Sequence, residues 1–125
     1  MNKLFVDSWT WLELFLGGNK GSHVKKALLT APNRYTTSIN LFEVLYRLTD
    51  DNGKEAAARG LEIIENNSII VDINSTAATE AVEVRLKEKL PAIDALSLAA
   101  ARLNGAMFIT GDPHFKRVSG VIYIE

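Results

Sequence analysis

The 125-residue chain contains no cysteine, which removes disulfides, thiolate nucleophiles and cysteine-ligated metals from its chemistry. Histidine is almost as scarce: His23 and His114 are the two in the chain. With no obvious partner beside it in sequence, each is read as a structural or surface residue. No apolar run approaches the roughly 20 residues that cross a bilayer. The opening stretch MNKLFVD runs into a strand pattern without an apolar signal region, so the expectation is a cytoplasmic protein with no membrane segment. One sign of charge is not in excess either. Fourteen basic and fifteen acidic residues give a net charge of −1, which excludes a protein that coats nucleic acid by bulk electrostatics.

What is present is an ordinary globular composition, 47% hydrophobic and 23% charged, at a length that predicts one domain over residues 1–125. Apolar spacing switches repeatedly between the strand and helix periods. Strands are predicted at 4–7, 35–38, 68–72, 107–110 and 121–124. Helices are predicted at 8–16, 23–30, 40–49, 54–65, 75–89 and 93–103, with a short one at 113–116. Gly17 and Gly18 stop the first helix, Pro91 separates the two late ones, and Asn104 with Gly105 ends the last. Strands alternating with helices imply an α/β fold with a mostly parallel sheet covered on both faces. Trp9 and Trp11 stand two apart on the first helix and cannot share a face; one belongs to the core and the other is available to a partner or a second copy.

Four acids stand where apolar segments end or begin: Asp7 in LFVDS, Glu43 in SINLFEV, Asp94 in AIDALSLAAA and Asp112 in MFITGD. Each has a local explanation. Asp7 or Ser8 can cap the first helix, and Asn40 with Glu43 has capping-box spacing, Glu43 also being placed to pair with Arg47. Asp94 favours a helix first turn, and Asp112 precedes a proline that can open a turn. As a set they call for more. Carboxylates at strand ends point into the crevice where open α/β sheets bind ligands. Four of them carry roughly −4 charge, and at about 4 Å each like pair costs on the order of 4 kcal/mol at an effective dielectric near 20. Convergence therefore requires a cation, and hard oxygen donors point to Mg²⁺ or Mn²⁺. Two basic stretches, Lys20, Lys25, Lys26 and Arg34, then Arg85, Lys87 and Lys89, read as solvated helix faces interleaved with acids such as Glu83 and Glu88. The alternative is a rim that steers phosphates toward the acids.

Asp7 after the first strand, the run TSINLFEV, the run DALSLAAA and the run ITGDPHF, in this order and spacing, resemble PIN domains, in particular the small VapC-like single-domain members. The resemblance covers nearly the whole chain. It implies a five-stranded parallel sheet flanked by helices, Mg²⁺- or Mn²⁺-dependent ribonuclease activity and, commonly, a homodimer. It also implies a site of Asp7, Glu43, Asp94 and Asp112, with Thr110 and Ser8 in support. The reaction implied is hydrolysis of an RNA phosphodiester by metal-activated water, carried out by a toxin whose partner would be an antitoxin protein. A non-catalytic PIN-fold RNA-binding or scaffold module is the rival reading, although such a module has no reason to keep a costly carboxylate cluster. A phosphoaspartate receiver is disfavoured, since Asp7 has no second acid beside it and no lysine follows a late strand.

Overall fold

The computed structural model describes residues 3–125. Its five strands are β1 (Lys3–Val6), β2 (Asn33–Thr37), β3 (Ile69–Val71), β4 (Met107–Thr110) and β5 (Val121–Tyr123), and its six α-helices are α1 (Ser8–Phe15), α2 (Gly21–Leu29), α3 (Ser38–Asn52), α4 (Lys54–Asn67), α5 (Ser75–Glu88) and α6 (Ala92–Leu103). A 3₁₀ turn, Pro113–Phe115, follows β4. The sheet order is β3-β2-β1-β4-β5 and every pairing is parallel. The predicted α/β architecture is therefore the observed one. Element ends shift by a few residues: the second strand starts at Asn33, and Ser38 already belongs to α3.

Side-chain alternation on the central strand divides the core into two layers. Leu4 and Val6 face one side with Trp11, Val24, Val44, Leu48 and Ile64 from α1 to α4. Phe5 faces the other, stacked on Phe108 at 5.1 Å, and Phe108 stacks in turn on Phe115 at 4.6 Å. Over this second layer lie α5 and α6. The buried Ala95, Ala99, Ala100 and Ala101 of α6 are small enough for its backbone to approach β2 and β4 closely.

Several local expectations change. Thr37, not Asn40, caps α3, its hydroxyl accepting from the Asn40 backbone N–H at 3.0 Å. Arg47 pairs with Asp51 at 2.6 Å and not with Glu43. Asn74 rather than Ser75 caps α5, accepting from Ala77. Arg34 is not a steering residue on a helix: it lies on β2, and its guanidinium donates to the carbonyls of Leu28, Ala31 and Asn67. Those carbonyls lie at or beyond the ends of α2 and α4, where backbone acceptors lack helical partners.

Candidate functional site

The connections from β1 through β2 to β3 run one way across the sheet, whereas β4 and β5 lie on the far side of β1. The order reverses between β1 and β4, and at such a switch point the carboxyl ends of the strands leave a crevice. Asp7 follows β1 at this place and Asp112 lies two residues beyond β4. The first turn of α6 brings Asp94 there, and α3 brings Glu43.

Asp7 is 4% exposed and caps α1. Its Oδ1 accepts from the Thr10 backbone N–H at 2.9 Å and from the Thr10 hydroxyl at 2.7 Å. Burial pushes its pKa up to about 7 against the pull of the Thr110 and Thr10 hydroxyls, and Asp112 adds repulsion. Thr110 itself is fully buried and its hydroxyl accepts from the Asp112 backbone N–H at 3.0 Å, while the Thr10 hydroxyl beside Asp7 also lies 2.9 Å from the Ile109 carbonyl of β4 and ties the end of β1 to that strand. Capping and site membership are compatible for Asp7, because a carboxylate has more acceptor positions than a cap uses.

Asp94, Asp112 and His114 form the tightest group. One ligand atom from each lies within 4.8 Å of the other two. The His114 Nδ1 is 3.1 Å from Asp94 Oδ2 and 3.2 Å from Asp112 Oδ1, and the His114 backbone N–H donates to Asp112 Oδ1 at 2.9 Å. Asp94 is raised to about 6, first by burial and then by Asp112, with His114 opposing and Glu43 reinforcing the shift. The reading of His114 as a partnerless surface residue is thus overturned: it is exposed, but it faces two of the four acids. The signal was in the run DPH, where a turn opened by Asp112 carries the residue two positions on back toward the same carboxylate. His23 lies exposed on α2 and is not part of this group.

Glu43 is positioned from behind. The Ser8 hydroxyl donates to Glu43 Oε1 at 2.5 Å, and Asn40 Nδ2 donates to Ser8 Oγ at 2.9 Å. Asn40 Oδ1 in turn accepts from Thr37 at 2.7 Å and from Ser97 at 3.2 Å. The chain of bonds joins α1, β2, α3 and α6, and no buried side-chain polar atom among the described residues is left without a partner. Ser8 therefore holds the Glu43 carboxylate, and Asp7 rather than Ser8 caps α1. Thr10, Asn40 and Ser97 have roles that sequence spacing did not expose. Gly111, between Thr110 and Asp112, underlies the indole of Trp9, and a Cβ there would collide with that ring. Trp9 is partly buried and packs against Gly111 in the loop that carries Asp112; Trp11 is the core tryptophan, 1% exposed, with its N–H on Thr36 at 3.2 Å.

The raised acids have a consequence for the metal-free protein. A carboxyl whose folded pKa lies above its unfolded value of about 3.9 contributes stability that is complete below that value and lost as pH rises through the folded one. In EDTA the protein should lose stability between about pH 4 and 7, by on the order of 2–4 kcal/mol from Asp7. Asp7→Asn keeps a capping oxygen and removes the charge. Thermal melts at pH 5 and pH 7.5 should show a flatter dependence for this variant; equal slopes in the two proteins would remove the account.

This fold and site define a class, an α/β protein whose carboxylates gather at the carboxyl edge beside its central strand, in a set that fits a divalent cation by donor chemistry and spacing. The chain belongs to the PIN domain family, whose model matches residues 4–121. Among solved structures it is similar to a chain of a toxin–antitoxin complex from Klebsiella pneumoniae, at 25% identity over 95% of either chain with a TM-score of 0.79. It is also similar to the VapC20 toxin of Mycobacterium tuberculosis, described as cleaving the sarcin–ricin loop, at 19% identity over 97% of this chain and 98% of that one, TM-score 0.79. A third similarity is to DNA-bound VapBC from Salmonella typhimurium, at 20% identity, 99% and 98% coverage and TM-score 0.78. At these identities the last two are likenesses of fold. No curated protein matches the chain in sequence.

Proposed function

We propose that the protein is a divalent-cation-dependent endoribonuclease and the toxin of a toxin–antitoxin pair. The carrying observation is the gathering of Asp94, Asp112 and His114 at the switch point of a PIN-family sheet, with Asp7 and Glu43 flanking them. When bound, Mg²⁺ or Mn²⁺ supplies Lewis acidity and positive charge for attack of water on a phosphodiester. The protein's share is holding and aiming. Asp94 and Asp112 offer the nearest oxygen donors, Asp7 is fixed by Thr10 and Thr110, and Glu43 is aimed by Ser8. The open notch receives a splayed single strand or loop, the form in which RNA exposes its backbone and bases.

The antitoxin partner follows from the company of the Klebsiella pneumoniae chain, and the surface supports it. Trp11, Leu14 and Leu28 floor a groove bordered by the exposed Leu29 and Ile63, with Lys25 at its side, which suits a helix with an apolar face and an acidic flank. A second copy of the chain is the further partner, for which Phe42 and Tyr46, stacked and about two-thirds exposed on α3, offer an apolar face. Among the described residues no helix is long and apolar enough to cross a membrane. Induced expression in a bacterial host tests the toxin reading. Growth should stop with the wild-type chain and continue with Asp94→Asn at the same protein level; equal growth of both cultures would overturn it.

A further inference from the structure

The oxygen donors of the site suit Mg²⁺ as well as Mn²⁺, and the acids alone do not discriminate between them. A nitrogen donor does. Mg²⁺ keeps oxygen ligands and binds imidazole poorly, whereas first-row transition ions accept mixed nitrogen and oxygen sets. The His114 Nδ1 lies 3.1 Å from Asp94 Oδ2 and 3.2 Å from Asp112 Oδ1. Ligand atoms bound cis at about 2.1 Å from an octahedral ion are themselves about 3 Å apart. The Nδ1 is thus already spaced from each of the two carboxylate oxygens like a neighbouring vertex of one coordination sphere, and one ligand atom from each of the three residues lies within 4.8 Å of the others.

The backbone makes this placement repeatable. Asp112 caps the turn Pro113–Phe115 and accepts from the His114 N–H, while the Tyr123 hydroxyl donates to the Gly111 carbonyl at 2.9 Å and ties the preceding residue to β5. Phe115, 1% exposed, anchors the far end of the turn in the core. The imidazole itself is more than half exposed, so only its two carboxylate neighbours orient it among the described residues, and it is open to an incoming ion.

We propose that His114 is a direct nitrogen ligand of the active-site cation and makes the site select Mn²⁺ over Mg²⁺. The inference rests on the metal-site reading above. In the metal-free protein a proton on Nδ1 faces the Asp94 and Asp112 oxygens; with the ring proton on Nε2 instead, the Nδ1 lone pair is free for an ion that replaces that proton between the same two oxygens.

The full-length protein loaded with Mn²⁺ tests this by pulsed electron paramagnetic resonance, which detects a ligating nitrogen without reference to catalysis. Wild-type protein should show ¹⁴N modulation that changes to the ¹⁵N pattern on labelling of histidine. The modulation should persist in His23→Ala and vanish in His114→Ala. Titration should show His114→Ala weakening Mn²⁺ by about tenfold or more, with Mg²⁺ changed less than about threefold. Thermal melts in EDTA check that the variant folds. Bound Mn²⁺ without nitrogen modulation, or equal losses for both ions, would overturn the role of His114 alone. Mn²⁺ affinity unchanged in both Asp94→Asn and Asp112→Asn would instead overturn the metal site and the inference with it.

Discussion

Asp94→Asn is expected to lower RNA cleavage by about a thousandfold or more while leaving the protein folded. The carboxylate stands in the first turn of α6, within ligand distance of Asp112 and His114, and its raised pKa of about 6 records that burial and neighbouring acids disfavour its charge when no cation is there. Replacing it with the amide keeps the volume and part of the hydrogen bonding, so packing of α6 through Leu98 and its alanines is untouched. What disappears is a charged oxygen donor. A thousandfold loss corresponds to about 4 kcal/mol of barrier at roughly 1.4 kcal/mol per tenfold. Asp7→Asn and Asp112→Asn should fall in the same range, and Glu43→Gln somewhat less, because Ser8 still holds the replacement side chain near the cleft. Circular dichroism and melting in EDTA establish that each variant is folded; purified variants cleaving within about threefold of wild type would displace the site from these residues.

Removing the cation should act as strongly. Cleavage is expected to stop in EDTA and to return with Mn²⁺ or Mg²⁺, and the products should carry a 5′-phosphate and a 3′-hydroxyl. A metal-free route through the RNA 2′-hydroxyl needs a base and an acid, commonly two imidazoles. The site offers one, His114, held between two carboxylates, and His23 lies outside it on α2. Water as nucleophile and the 3′-oxygen as leaving group fit the donors that are present. Ligation of the downstream fragment without prior phosphorylation reads the end chemistry directly. Cleavage that persists in EDTA, or cyclic-phosphate ends, would mean that the acids are not the source of the activity.

The order of strands and helices was legible before the fold because apolar period and glycine or proline stops are local properties. The same holds for the four acids, since a carboxylate at the end of an apolar segment is conspicuous in one dimension. The alanine run after Asp94 correctly marked a helix packed tightly on the sheet, with Ala99 and Ala101 fully buried. Sequence spacing misassigned the functions that depend on side-chain direction. Asn40 read as a cap and is instead a buried hub contacting Ser8, Thr37 and Ser97. Glu43 had Arg47 within reach on its own helix, yet the arginine takes Asp51.

The amino-acid sequence by itself determined the α/β class, the alternation of elements and the set of acids available for a site, because these follow from periodicity and composition. Only the tertiary structure decided which strands are neighbours, and so where the switch point falls. Placing β4 beside β1 brings Asp112 to Asp7, and seating the first turn of α6 over that edge brings Asp94 to His114, a residue twenty positions along. Proximity between distant segments is set by sheet order and helix packing, which no local pattern encodes. For that reason the run DPH could place His114 beside Asp112, whereas only the packing of α6 brings Asp94 to the same imidazole.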